Sequence, residues 1–137
     1  METSFGHLTY CTNIHAGENW KDHFEALKKN FPAIKEKIST HNSMGIGLRL
    51  SNEASTDLSH KENLNEFKKW LLEQDAYVFT MNGFPYGGFN HTRVKENVHT
   101  QDWTTKERVE YTLRLFDILK ELLPEGMDGG ISTSPMS

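Results

Sequence analysis

Cysteine is almost missing: Cys11 is the single one in 137 residues. One thiol cannot close an intrachain bridge, so a disulfide scaffold is excluded, and the usage fits a reducing cytoplasm. No apolar run approaches the roughly 18 residues that a membrane span needs. The first twenty residues lack a cationic stretch followed by an apolar one, so no signal peptide is expected. Basic residues are scattered and outnumbered, 15 Lys and Arg against 19 Asp and Glu, for a net charge of −4. That balance argues against a nucleic-acid or anionic-membrane surface. Several motifs are missing as well. Without GxGxxG or GxxxxGK[ST], neither dinucleotide nor P-loop binding is signalled, and without CxxC or HExxH no zinc site is. No GxSxG elbow exists, and Cys11 lies in a strand-prone run that suits packing better than nucleophilic attack.

What is present suits one domain over residues 1–137: 36% hydrophobic residues and fifteen aromatics, with no linker or repeat. Leu8–Thr12 is a short β-prone run ending in the turn Asn13–Gly17. Trp20, Phe24, Leu27, Phe31, Ile34 and Ile38 then form a helix stripe, which Pro32 is expected to kink or divide. Gly45–Leu50 reads as a second strand whose two glycines imply close backbone packing. Ser59–Glu62 has capping-box spacing ahead of a stripe at Leu64, Phe67, Trp70 and Leu71. Ala76–Met81 is the strongest strand, of the kind buried on both faces.

From Asn82 to Trp103 no periodicity is visible, and loops of that length are often functional. Thr104–Glu107 has the spacing of another capping box. The helix after it carries apolar Val109, Leu113, Phe116, Leu119 and Leu123, and Pro124 with Gly126 closes it. A short fourth strand follows near Ile131. Trp20, Trp70 and Trp103 read as packing residues. The order strand, helix, strand, helix, strand, helix, strand argues for an α/β fold of parallel strands with right-handed crossovers. An open four-stranded sheet satisfies it. So does about half of a (β/α)8 barrel, since four units of about 35 residues are half of a barrel of about 250.

In both architectures ligands bind beyond the carboxyl ends of the strands. That rule selects Asn13, His15 and Glu18 after the first strand and Ser51, Asn52 and Glu53 after the second. It selects Asn82, Tyr86, His91, Arg93 and Lys95 after the third, and Ser132, Thr133 and Ser134 after the fourth. Amides, hydroxyls, imidazoles and cations together suit a polyhydroxylated or phosphorylated small molecule. His15 fits a metal ligand, proton shuttle or substrate hydrogen bond, and fits a surface histidine as well. His91 and His99 lack metal-type spacing and read as solvated. Tyr86 and Phe84, around Gly83 and Pro85, either line a pocket or pack their own loop. Arg93 and Lys95 project to one side of an extended chain, as an anion clamp or as solvated charges.

The strings Thr9–Glu18, Tyr77–Gly87 (containing NGFPYG), Arg93–Glu96 and Ile131–Pro135 resemble the EboE family of bacterial metabolite traffic proteins, within the xylose isomerase-like TIM barrels. The resemblance runs from about Leu8 onward and covers the N-terminal part of the longer family members. One departure is Gln101, where the family commonly has proline before the Asp-Trp pair. The resemblance implies half of a TIM barrel and a small polar metabolite as partner. Its chemistry would be of the sugar isomerase or epimerase type, or else non-catalytic traffic tied to a transport system. It also implies a divalent metal (Mn, Mg or Zn) held mainly by later strands of the full-length protein. In that reading His15 is the catalytic candidate, and Asn13, Asn82, Tyr86, Arg93, Lys95 and Ser132 bind substrate. A half-barrel exposes two sheet edges, through which self-association is expected.

Overall fold

The computed structural model describes residues 1–15, 17–84 and 103–133. Four parallel strands form its centre in sequential order: β3 (Thr9–Cys11), β4 (Met44–Arg49), β5 (Ala76–Gly83) and β6 (Gly130–Thr133). The expected alternation of strands and helices is therefore present, with a parallel sheet. Two two-residue strands that periodicity does not reveal, β1 (Glu2–Thr3) and β2 (Gly6–His7), pair antiparallel ahead of it.

The first crossover is α1 (Trp20–Ile38). Asn19 caps it, its side-chain oxygen accepting from the Asp22 amide at 2.8 Å. Pro32 lies inside this helix without dividing it, so of the expected kink or division the division does not occur. The helix is anchored on the N-terminal side of Pro32 by Trp20, Phe24, Leu27 and Phe31, all buried, while Pro32 itself faces solvent. Packing of those four side chains offsets one missing amide donor.

The second crossover holds two helices, α2 (Asn52–Ser59) and α3 (Lys61–Glu73). The capping box over Ser59–Glu62 does not form. His60 is the N-cap of α3 without a side-chain cap bond, and the Ser59 hydroxyl donates back to the Thr56 carbonyl at 2.7 Å. Ser59 is consumed as the end of the preceding helix. The third crossover includes α4 (Lys106–Leu122), with Thr105 as N-cap and again no side-chain cap bond.

The helix side of the sheet is filled by Met44, Ile46 and Leu48 of β4 and Val78 and Met81 of β5, against rings from α1 and α3. Trp20 stacks on Phe24 at 5.1 Å and meets Phe67 edge-on at 4.9 Å, and Trp70 meets Phe24 edge-on at 5.6 Å. Trp20 and Trp70 are core residues, as expected. On α4 the core is Tyr111, Leu115, Ile118, Leu119 and Leu122, together with Arg108. The expected stripe is overturned at Val109, Leu113 and Phe116, which are exposed. Both stripes have helical spacing. The buried one is selected because Arg108 and Tyr111 reach backbone carbonyls at the end of the sheet.

The opposite face carries Thr9 and Cys11 of β3, Gly45, Gly47 and Arg49 of β4, Tyr77, Phe79, Thr80 and Asn82 of β5, and Ser132 of β6, as strand alternation and register require. The two glycines admit the close approach expected of them: a Cβ on Gly45 would lie 3.1 Å from the Leu8 carbonyl oxygen. Pairing passes from Ile46–Val78 to Gly47–Thr80, so Phe79 is an extra residue, a β-bulge in β5.

Candidate functional site at the carboxyl rim

Beyond the carboxyl ends of β3, β4, β5 and β6 lies a set of linked polar groups. A 3-10 turn over Thr12–Ile14 follows β3 and lifts Asn13 toward β5. There the Asn82 amide donates to Asn13 Oδ1 at 2.9 Å and to Cys11 Sγ at 3.1 Å. Both Asn82 amide protons are engaged, which leaves Oδ1, an acceptor, as its remaining polar atom. In register, Arg49 lies beside Asn82, and Asn82 beside Ser132. Three polar side chains thus cross three neighbouring strands at the rim, about 4.8 Å apart strand to strand.

Thr12 is the hub of the β3–β4 corner. Its buried hydroxyl oxygen accepts the Arg49 amide at 2.8 Å and lies 3.2 Å from His23 Nε2. Burial, followed by the Arg49 and His15 charges, lowers the His23 pKa to about 4, so this imidazole is neutral at pH 7. The Arg49 guanidinium is buried and pairs with the Glu18 carboxylate, Nη1 to Oε1, at 3.4 Å. Ser51 caps α2 by accepting the Ala54 amide at 3.0 Å and donates its hydroxyl to the Glu18 carbonyl. Under β5 and β6, Arg108 donates to the Gly83 carbonyl at 3.1 Å and to the Thr133 hydroxyl, with its guanidinium 5.1 Å from the Trp103 ring. Burial lowers the Arg108 pKa. The Tyr111 hydroxyl donates to the Leu50 carbonyl at 2.5 Å, tying α4 to the exit of β4.

Of the residues selected from sequence, Asn13, Asn82 and Ser132 come together. His15 is brought elsewhere: its Nε2 bonds the Tyr10 hydroxyl, and Tyr10 packs toward Phe31 on the helix side. Burial lowers the His15 pKa and raises that of Tyr10. Tyr86, Arg93, Lys95, His91 and His99 lie outside the described residues. Asn52 accepts from Arg114 Nη1 at 3.0 Å, inside the α2–α4 contact and away from ligand duty. A cavity of about 830 Å³ lies at the amino end of the sheet, lined by Glu2, His7, Ser43, Tyr77 and Met127 among others.

Arg49 and Arg108 are rim groups that sequence reasoning passed over. A cation closing an otherwise apolar strand, and one in the first turn of a helix that follows a strand end, are the signals that mark them. Among the described residues no group of three His, Cys, Asp or Glu converges as a metal site. Among them, too, no helix is long and apolar enough to cross a membrane. No family model, curated protein or solved structure matches the chain.

Proposed function

We propose that the chain handles a small polyhydroxylated metabolite at the carboxyl rim, as part of a xylose isomerase-like barrel of the EboE type. The supporting observation is Asn82, whose amide protons are held by Asn13 and Cys11, which leaves Oδ1 as its acceptor. An acceptor in that position matches a ligand hydroxyl donor, and Ser132 in the adjacent register offers a second polar contact. The sequential parallel order of the four strands supports the barrel reading.

Within this reading the rim binds and orients. The resemblance puts any divalent metal mainly on later strands, and no step is assigned to one here. A role in binding and transfer without turnover is favoured over isomerisation by the engagement of His15 with Tyr10, which packs toward Phe31. Thermal shift with a panel of aldoses, ketoses, cyclitols and their phosphates tests the reading. At least one member is expected to raise the melting temperature of the wild type and not of Asn82→Ala. Stabilisation equal in both, or by none, overturns it. Proton NMR of the stabilising compound then separates the roles, since interconversion of aldose and ketose would establish catalysis.

A further inference from the structure

We propose that the cavity at the amino end of the sheet is a second binding site, for a small organic ammonium with an apolar body, and that Glu2 receives its charge. The volume, about 830 Å³, falls within the range of about 300–1,000 Å³ of small-molecule sites. It adjoins the start of β5 at Ala76 and Tyr77, whereas Asn82 is near the far end of that strand. At about 3.3 Å per residue, Tyr77 and Asn82 are about 17 Å apart along it. The site is therefore separate from the carboxyl rim and does not depend on what the rim binds.

The wall is built before any ligand arrives. β1 and β2 pair so that Glu2 stands directly opposite His7, which puts both side chains on one face of the hairpin. Thr3 locks the turn between them: its hydroxyl donates to the Gly6 carbonyl at 2.7 Å and accepts the Phe5 amide at 3.2 Å. The Tyr77 hydroxyl is 2.9 Å from His7 Nδ1 and ties the hairpin to β5. The Tyr77 ring is braced in turn, stacked on Phe79 at 5.9 Å and met edge-on by the His7 ring at 5.9 Å. Ser43, just ahead of β4, is fixed by donating to the Asp75 carboxylate at 2.5 Å.

Charge decides the ligand. Glu2 is the one Asp, Glu, Lys or Arg among the described residues that line the cavity. Among those residues its carboxylate has no ion pair or hydrogen bond, since the Met1 ammonium donates instead to the Leu8 carbonyl at 2.8 Å and to the Tyr77 hydroxyl at 3.0 Å. An anionic ligand would face Glu2 with no lysine or arginine in the lining, whereas a cation gains from it. An aromatic ring in the same wall adds to that preference. With Nδ1 of His7 taken by Tyr77, Nε2 is the ring nitrogen left for a polar group of the ligand. Ala76, Pro124 and Met127 supply the apolar surface against which its body rests.

The experiment titrates the full chain with phenethylamine and with phenethyl alcohol, which are close in shape and differ in charge, and follows backbone amides by NMR. Phenethylamine is expected to shift the amides of His7, Tyr77 and Met127 and to leave those of Asn13 and Asn82 in place. It should bind about two- to fivefold more tightly than the alcohol, the worth of one exposed ion pair. That advantage should shrink as salt is raised and vanish in Glu2→Gln, whose side chain is exposed and outside the core. Glu2→Lys should weaken the amine below the alcohol. Equal affinity of amine and alcohol for the wild type overturns the inference. So does an advantage kept in Glu2→Gln, a response confined to the rim amides, or no response to either probe. Each of those results leaves the rim reading untouched, since that reading is tested through Asn82.

Discussion

At the scale of single residues, buried polar groups at the rim carry the clearest energetic consequence. His23 is 1% exposed, and its folded pKa of about 4 lies below the ordinary 6.5. Between those values the unfolded chain takes up a proton that the folded chain refuses, so acid favours unfolding. Stability should fall as pH drops from about 6.5 to about 4 and level off below, by about 3 kcal/mol in all. His15, lowered by burial, adds in the same direction. His23→Gln, which keeps an amide to face Thr12, should flatten that slope in urea melts taken across the pH range. An equal slope in both proteins would show that His23 is not its source. Asn13, Asn82 and Ser132 were accessible from sequence because strand ends are locally recognisable. Arg49 was not. A terminal cation reads as the solvated stop of a strand, and only the pairing of β4 with β5 reveals that it lies buried beside Asn82.

At the scale of elements, α4 shows what periodicity leaves open. Its sequence supports two apolar stripes, and the contacts of Arg108 with Gly83 and of Tyr111 with Leu50 turn one of them inward. Leu115→Ala should cost about 2–5 kcal/mol in denaturant unfolding, whereas Leu113→Ser on the outer stripe should change stability by no more than about 0.5 kcal/mol. Comparable losses would mean that the outer stripe is also covered. The four strands and the long helices were legible because their apolar runs are several turns or a full strand in length. Helix α2 was not, since eight residues offer only Ala54 and Leu58 as apolar core contacts and its Asn, Ser and Thr content reads as loop. The box at Ser59–Glu62 failed for a related reason: a spacing rule does not tell a helix start from the end of an unsuspected helix before it.

At the scale of the whole molecule, the sheet ends in β3 on one side and β6 on the other, each paired on one side only among the described residues. Open parallel edges invite further strands. The chain is expected to self-associate at tens of micromolar, read as a concentration-dependent rise in sedimentation coefficient. A single monomer boundary throughout that range would contradict it. Charged substitutions on β6 such as Ile131→Lys should then reduce the association, although Ile131 also touches the core and the variant needs a thermal melt alongside.

The extra residue in β5 has a bearing on parity. A strand is a two-letter alphabet of sides, and every residue after Phe79 is read one letter later than a regular ladder would read it. Spelled without that stutter, Met81 would point to the open face and Asn82 into the helices, and no rim of the kind seen here would exist. Removing Phe79 outright restores an even count and leaves the later letters unchanged. The shortened chain should therefore keep its Asn82 contacts, losing chiefly the ring that lies against His7 and Tyr77. Adding one residue at the same place should scramble them, a contrast that amide chemical shifts of Asn13 and Asn82 would report directly.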